Sequence, residues 1–233
     1  EGVSLSIERG TLTALIGANG AGKSTLLSIL GRMDTGEGRV TIDGRPLPEY
    51  SGPELARKLS TLRQTTNIMA RLTVRELVGF GRYPHSGARL TEADRAAVEA
   101  AIQRVEMDRY ADRHIDRLSG GERQRAFIAM VLAQDTDYIL LDEPLNNLDM
   151  KHAAQIMRLM RALVDEAGKT VVIVLHDINF AARYADRLAA LRNGRLVATG
   201  PPAKVMTPEL IGRVFDMDVN IRMMDGRPLC LYY

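Results

Sequence analysis

Gly17-Ala18-Asn19-Gly20-Ala21-Gly22-Lys23-Ser24-Thr25 decides how this chain is read. Thr11-Leu12-Thr13-Ala14-Leu15-Ile16, apolar and suited to a buried strand, precedes it, and Leu26-Leu27-Ser28-Ile29-Leu30 continues it as a helix. A glycine loop between strand and helix lets the backbone turn sharply and bring its N–H groups close to phosphate oxygens with no Cβ in the way. The helix adds the positive end of its dipole. Lys23 supplies a point charge for β- and γ-phosphates, Ser24 a hydroxyl suited to Mg²⁺, and Thr25 a further donor to phosphate.

Outward from this loop, the chain of 233 residues is long enough to bury a substantial core. Its 45% hydrophobic and 26% charged residues are ordinary for a globular protein. Lys and Arg number 31 against 29 Asp and Glu, so bulk charge gives no reason to expect nucleic acid. The single cysteine, Cys230, has no partner within the chain, which fits a reducing compartment. Tyr138 to Leu141 and Val171 to Leu175, the best apolar runs, read as buried strands and are too short to span a membrane. No signal peptide is expected at the start, so a protein of this kind working at a membrane needs a partner to hold it there.

Taken in order, Glu1 to Ile7 alternates like a strand, and Glu8-Arg9-Gly10 turns it into the strand before the loop. Gly38 to Asp43 reads as a strand closed by the hairpin signal Asp43-Gly44. Ser51-Gly52-Pro53-Glu54 is a capping box opening a helix to about Leu59, and Leu59 to Arg63 is a strand that delivers Gln64. From about Arg71 to Gln134 the pattern is helical, with caps at Thr73, Thr91 and Ser119. Tyr138 to Asp142 returns to the apolar strand type of a parallel sheet covered on both faces. Asp149 caps a helix that ends at Gly168, and Thr170 to Leu175 is the next strand. A hairpin about Asn193-Gly194, a helix from Thr207 and a hairpin about Asp225-Gly226 complete an α/β core interrupted by a helical insertion.

Three stretches besides the loop carry chemistry. Asp142 ends an apolar strand, where open α/β sheets place ligand-handling groups, and its carboxylate suits Mg²⁺, through water, opposite Ser24. Glu143 follows as the candidate to orient and polarise an attacking water. His176 ends the strand Thr170 to Leu175 and is placed to reach a γ-phosphate. Leu118-Ser119-Gly120-Gly121-Glu122 opens a helix with bare backbone, a second anion-seeking end. A Lys-bearing loop and a separate phosphate-seeking helix end in one chain invite a head-to-tail dimer.

Over essentially its whole length the chain resembles the ATP-binding cassette subunit of ABC transporters. Gly17 to Thr25 resembles the Walker A motif, with Gly17, Asn19, Gly20, Ala21, Gly22, Lys23, Ser24 and Thr25 implied in nucleotide binding. Gln64 matches the Q-loop, Ser119-Gly120-Gly121-Glu122 the signature, Asp142 Walker B, Glu143 the catalytic glutamate, Leu148-Asp149 the D-loop and His176 the switch histidine. The resemblance implies a RecA-like P-loop NTPase core with an antiparallel β subdomain and an inserted α-helical signature subdomain over about residues 71–134, the whole chain forming one ATP-binding domain. It implies ATP with Mg²⁺ held by Ser24, Gln64 and Asp142, and catalysis by Glu143, His176 and Lys23. Two cassettes would sandwich two ATP molecules, each on one subunit's Walker A and the other's Ser119 and Gly121. Gln64 would relay nucleotide state to two membrane permeases through Thr65 to Arg82, at the cytoplasmic face of a bacterial inner membrane, with an extracytoplasmic binding protein engaged indirectly and no nucleic acid.

Two departures from the family's pattern stand out. No Phe, Tyr or Trp precedes Tyr50, so the adenine-stacking aromatic and first strand are expected to lie outside this chain, and Arg63 stands where proline is common before the Q-loop glutamine. Gly81-Arg82-Tyr83-Pro84-His85 and Gln134 to Tyr138 resemble importers of iron–siderophore, haem and cobalamin, and Asn146 to His152 the iron–siderophore branch. The expected function is ATP-driven iron–siderophore import. Haem, cobalamin or another metal chelate is the alternative cargo, and a soluble non-transport ATPase of the same family a remote one, since this chain has neither the long coiled-coil insertion nor the second fused cassette usual there.

Overall fold

The computed structural model describes residues 2–63, 71–87 and 89–232. In chain order the elements are β1 (Leu12–Ile16), α1 (Lys23–Leu30), β2 (Thr41–Ile42), β3 (Arg45–Pro46), α2 (Gly52–Lys58), β4 (Leu59–Leu62), α3 (Val74–Gly79), α4 (Tyr83–Ser86), α5 (Glu92–Arg104) and α6 (Gly120–Ala133). There follow β5 (Tyr138–Asp142), α7 (Met150–Asp165), β6 (Thr170–Val174), α8 (Ile178–Tyr184), β7 (Arg187–Arg192), β8 (Arg195–Gly200), α9 (Pro202–Val205), α10 (Pro208–Phe215), β9 (Asn220–Met224) and β10 (Arg227–Leu231). The chain divides into two compact units, one of Glu1–Gly36, Leu141–Glu143 and Met160–Tyr233, the other of Glu37–Leu140 and Pro144–Leu159.

The first unit is built on β1. That strand pairs in parallel with β6 on one side, Leu12 opposite Val171, and with β7 on the other, Thr13 opposite Arg187. β7 turns through Asn193 and Gly194, at φ 49° and 73°, into antiparallel β8. Positive φ at both central residues is what a tight hairpin needs to match the twist of its strands, and Asn-Gly supplies it at low steric cost. Every residue of β1 and β6 is buried, as expected of strands covered on both faces. The close of the sheet is mixed rather than purely parallel, because a two-residue hairpin can join only antiparallel neighbours.

In the second unit, capping residues set the helix starts. Ser51, Thr73, Thr91 and Ser119 each accept a hydrogen bond from the N–H three residues on, and Glu54, Glu76, Asp94 and Glu122 close the box on the capping residue's own N–H. α3 and α5 pack on α6, whose Ala126, Ile128 and Ala129 are fully covered. Gly81 lies against α6 so closely that a Cβ on it would stand 2.2 Å from the carbonyl oxygen of Met130. Arg82 beside it donates to Asp94 at 2.8 Å and to the Ala133 carbonyl at 2.9 Å. His85 meets the Gln134 carbonyl at 2.8 Å, and the Gln134 amide donates to the carbonyls of Ala56 and Leu59. Arg82, His85 and Gln134 thus tie α6 to the elements beside it.

Three expectations change. Residues 2–7 form no strand, because alternation makes a strand only where a ladder partner stands alongside. The strand expected over Gly38 to Asp43 shortens to Thr41–Ile42, paired with Arg45–Pro46. α8 and α9, short helices after His176 and β8, were not expected: neither is long enough to show a helical period in sequence.

Candidate functional site

Within the first unit, three chain segments bring the expected side chains together: the loop after β1, the end of β5, and the residue after Leu175. Gly17 has φ 149°, and a Cβ on it would sit 2.2 Å from the Leu191 carbonyl oxygen. Gly22, at φ 95°, caps α1 and would place a Cβ 3.3 Å from the Cα of Gly194. Both positions demand glycine, one by close approach and one by its left-handed backbone as well. The Gly194 N–H donates to the Ala21 carbonyl at 3.0 Å, so the β7–β8 turn buttresses the loop. Sequence reading had Asn193-Gly194 as a hairpin only; a contact between turns so distant in sequence leaves no local signal.

Ala18, Asn19, Gly20 and Thr25 are exposed along the loop, while Ala21 is buried. Lys23 is 5% exposed, and its Nζ donates to the carbonyls of Gly17 at 2.8 Å and Ala18 at 2.9 Å. Burial lowers its pKa, and the negative charges of Glu143 and Asp142 oppose that shift. α1 carries no side-chain cap, in contrast to the boxed helices of the second unit. The N–H groups of its first turn are left to an anion, and the glycine cradle before it is one a Cβ would fill, so the loop fits a nucleotide's phosphates.

Ser24 Oγ donates to Asp142 Oδ1 at 2.8 Å. Sequence reading placed these two opposite each other across a metal; the structure puts them in direct contact. Burial raises the pKa of Asp142, assisted by the charge of Glu143, while the Ser24 hydrogen bond, Lys23 and His176 hold it down. A hydroxyl and a carboxylate side by side are hard oxygen donors of the kind Mg²⁺ takes, so the pair fits that ion.

Glu143 is 8% exposed and adopts φ 49°, a left-handed backbone that a non-glycine residue holds at a cost of about 1–3 kcal/mol. Its Oε1 lies 2.6 Å from His176 Nε2. The two residues were expected at one sheet edge with separate tasks; their direct pairing is new. The site therefore has a cationic floor in Lys23, a metal-suited oxygen pair, and a strained carboxylate tethered by a histidine.

Ser119, Gly121 and Asp149 belong to the second unit. Ser119 Oγ donates to Glu122 Oε2 at 2.9 Å, and hydrogen bonds from Tyr110 and the Ser119 N–H hold the Glu122 carboxyl down to about 2. A Cβ on Gly121 would come within 2.9 Å of the Asn147 carbonyl oxygen, so this glycine also lets the segment before Asp149 lie against the start of α6. Gln64 lies outside the described residues.

The fold and this site define the class: an ATP-hydrolysing cassette built on a phosphate loop. The chain belongs to the ABC transporter family, whose model, described as ABC transporter, matches residues 1–146. It is 49% identical to the petrobactin import ATP-binding protein YclP of Bacillus subtilis, over 100% of this chain and 93% of that protein. Identity to the hemin import ATP-binding protein HmuV of Streptomyces coelicolor is 43%, over 95% of this chain and 79% of the relative. Among solved structures, the dimeric post-hydrolysis state of an ATP-binding cassette bound to ADP and Pi superposes with a TM-score of 0.78 at 35% identity, covering 85% of this chain and 88% of that one. Among the described residues, no helix is long and apolar enough to cross a membrane.

Proposed function

We propose that this chain is the ATPase subunit of a bacterial importer of iron–siderophore complexes, acting as a head-to-tail pair beneath two membrane permeases on the cytoplasmic face of the inner membrane. The observation that carries the chemistry is the buried Glu143 paired with His176 beside Lys23 and Asp142. The cargo reading rests on the 49% identity to a petrobactin import protein along the entire chain.

In this reading the loop N–H groups, with Asn19 and Thr25 along the rim, hold the β- and γ-phosphates, and Lys23 offsets their charge. Ser24, Asp142 and Gln64 would hold Mg²⁺, which neutralises charge on the phosphates when bound. Glu143 orients a water in line with the γ-phosphorus. Oxygen of that water bonds to phosphorus as the bond to the β-phosphate oxygen breaks, and the water's proton passes toward the Glu143 carboxylate. His176, with Nε2 at 2.6 Å from Glu143 Oε1, keeps that carboxylate turned to the water. The partner's Ser119 and Gly121 complete the site, Asp149 lines the seam, and the helical subdomain over about residues 71–134 carries the signature. An antiparallel β subdomain completes the cassette.

Radioactive iron uptake from a panel of siderophores tests the reading, in cells lacking the subunit and complemented with wild type or Glu143→Gln. Wild type alone should restore uptake of one siderophore. Uptake that never depended on the subunit would move the cargo to another chelate, with haem first because of the hemin-importing relative at 43% identity.

A further inference from the structure

Asp149 is followed by α7, and its Oδ1 accepts the N–H of His152 at 2.9 Å, the ordinary bond of a helix cap. The same oxygen lies 2.8 Å from Nδ1 of the His152 ring. Capping needs only the first of these bonds. The second comes from the position where a capping box would place Glu or Gln reaching back to the cap's own N–H; here a ring donor converges on the carboxylate instead. The Asp149 side chain is 64% exposed and that of His152 only 28%, so the more covered group restrains the freer one. The backbone N–H groups of His152 and Lys151 hold the carboxylate at the helix start, and the ring donor on the same oxygen adds the one side-chain contact that restrains its remaining rotation. The carboxyl is correspondingly held below its ordinary range, chiefly by the His152 N–H.

We propose that His152 is a positioning residue for the cassette's reaction: its imidazole fixes the orientation in which Asp149 meets a second copy of the chain, so turnover depends on it and nucleotide binding by one copy does not. This rests on the reading of Asp149 as part of the dimer seam. The bond requires Nδ1 to carry a proton, one bond out from the ring carbon attached to Cβ. An asparagine amide presents its N–H from the same place; a glutamine amide presents it one bond further out.

The test is steady-state ATP hydrolysis by the full chain, comparing His152→Ala, His152→Asn, His152→Gln, Asp149→Ala and the double alanine variant. Loosening a positioned group by a fraction of an ångström should lower kcat about ten-fold in His152→Ala with KM for ATP unchanged. His152→Asn should recover near wild-type kcat, His152→Gln should resemble alanine, and the double variant should be no slower than Asp149→Ala. Wild-type kcat in His152→Ala, failure of asparagine to rescue, or losses that multiply in the double variant would each overturn the proposal. If Asp149→Ala alone hydrolyses normally, the reading of Asp149 fails first and His152 loses the partner through which it acts; a slow His152→Ala beside a normal Asp149→Ala would separate those two failures.

Discussion

Glu143 is held in a left-handed backbone, in a nearly covered place, with a histidine nitrogen 2.6 Å from its carboxylate. Burial and strain both cost stability, and neither is needed to end a strand. Their concentration on one carboxylate whose charge is felt by both Asp142 and Lys23 points to a task in which orientation matters more than affinity. Glutamine keeps the shape of the side chain and removes the proton acceptor. Glu143→Gln should therefore lower kcat by at least about 10²-fold, the usual scale for loss of a general base, while equilibrium binding of ATP stays near wild type. A luminescent nucleotide-binding assay run beside phosphate release checks both halves. Normal phosphate release would take the water-orienting role from Glu143. At this scale the sequence announced the residue, because an acidic pair after an apolar strand is a local pattern. It could not announce φ 49° or the bond to His176, which depend on how two separated strands end.

The elements divide along the same line. Four capping boxes were legible residue by residue, since a cap is a contact between positions three apart and any fold that keeps the helix keeps the contact. The turns at Asp43-Gly44, Asn193-Gly194 and Asp225-Gly226 were equally plain, and all six residues have positive φ. Residues 2–7 misled because strand identity is conferred by a neighbour that the alternating pattern does not name. Gly81 shows what lay hidden: read as a mark of subfamily, it is the point where the chain after α3 meets the backbone of α6. A methyl group there cannot be relieved by turning a side chain, since the obstacle is a helix carbonyl 2.2 Å away. Gly81→Ala should destabilise the fold by about 1–3 kcal/mol, the range for overpacking, and more if Arg82 is also pulled from Asp94. Urea unfolding followed by circular dichroism would read this as a lower midpoint with little change in slope. An unchanged midpoint would mean that α6 yields more easily than a packed helix should.

At the scale of the whole molecule, the phosphate loop lies in one unit and Ser119 and Gly121 in the other, which is where the head-to-tail reading of the sequence makes its sharpest claim. If the signature serves the nucleotide of a second copy, its chemistry is irrelevant to how one copy binds ATP and indispensable to how two copies spend it. Ser119 is an exposed residue whose hydroxyl caps α6 through Glu122, so a substitution there must be separated from simple loss of the cap. Ser119→Ala removes the cap and the hydroxyl together without adding bulk, and a lost cap costs about 1 kcal/mol of stability. Ser119→Arg removes the same cap and also places a bulky side chain where a partner's γ-phosphate would approach. In a Glu143→Gln background, which should hold the ATP-bound pair closed, size-exclusion chromatography with ATP is expected to give a dimer for the parent, a weakened dimer for Ser119→Ala and a monomer for Ser119→Arg. Both Ser119 variants should bind ATP as monomers about as well as the parent. If Ser119→Arg instead loses ATP binding as a monomer, the signature acts on its own subunit's nucleotide and the trans arrangement is wrong. A dimer as stable as the parent's would place the contact between copies away from α6 altogether.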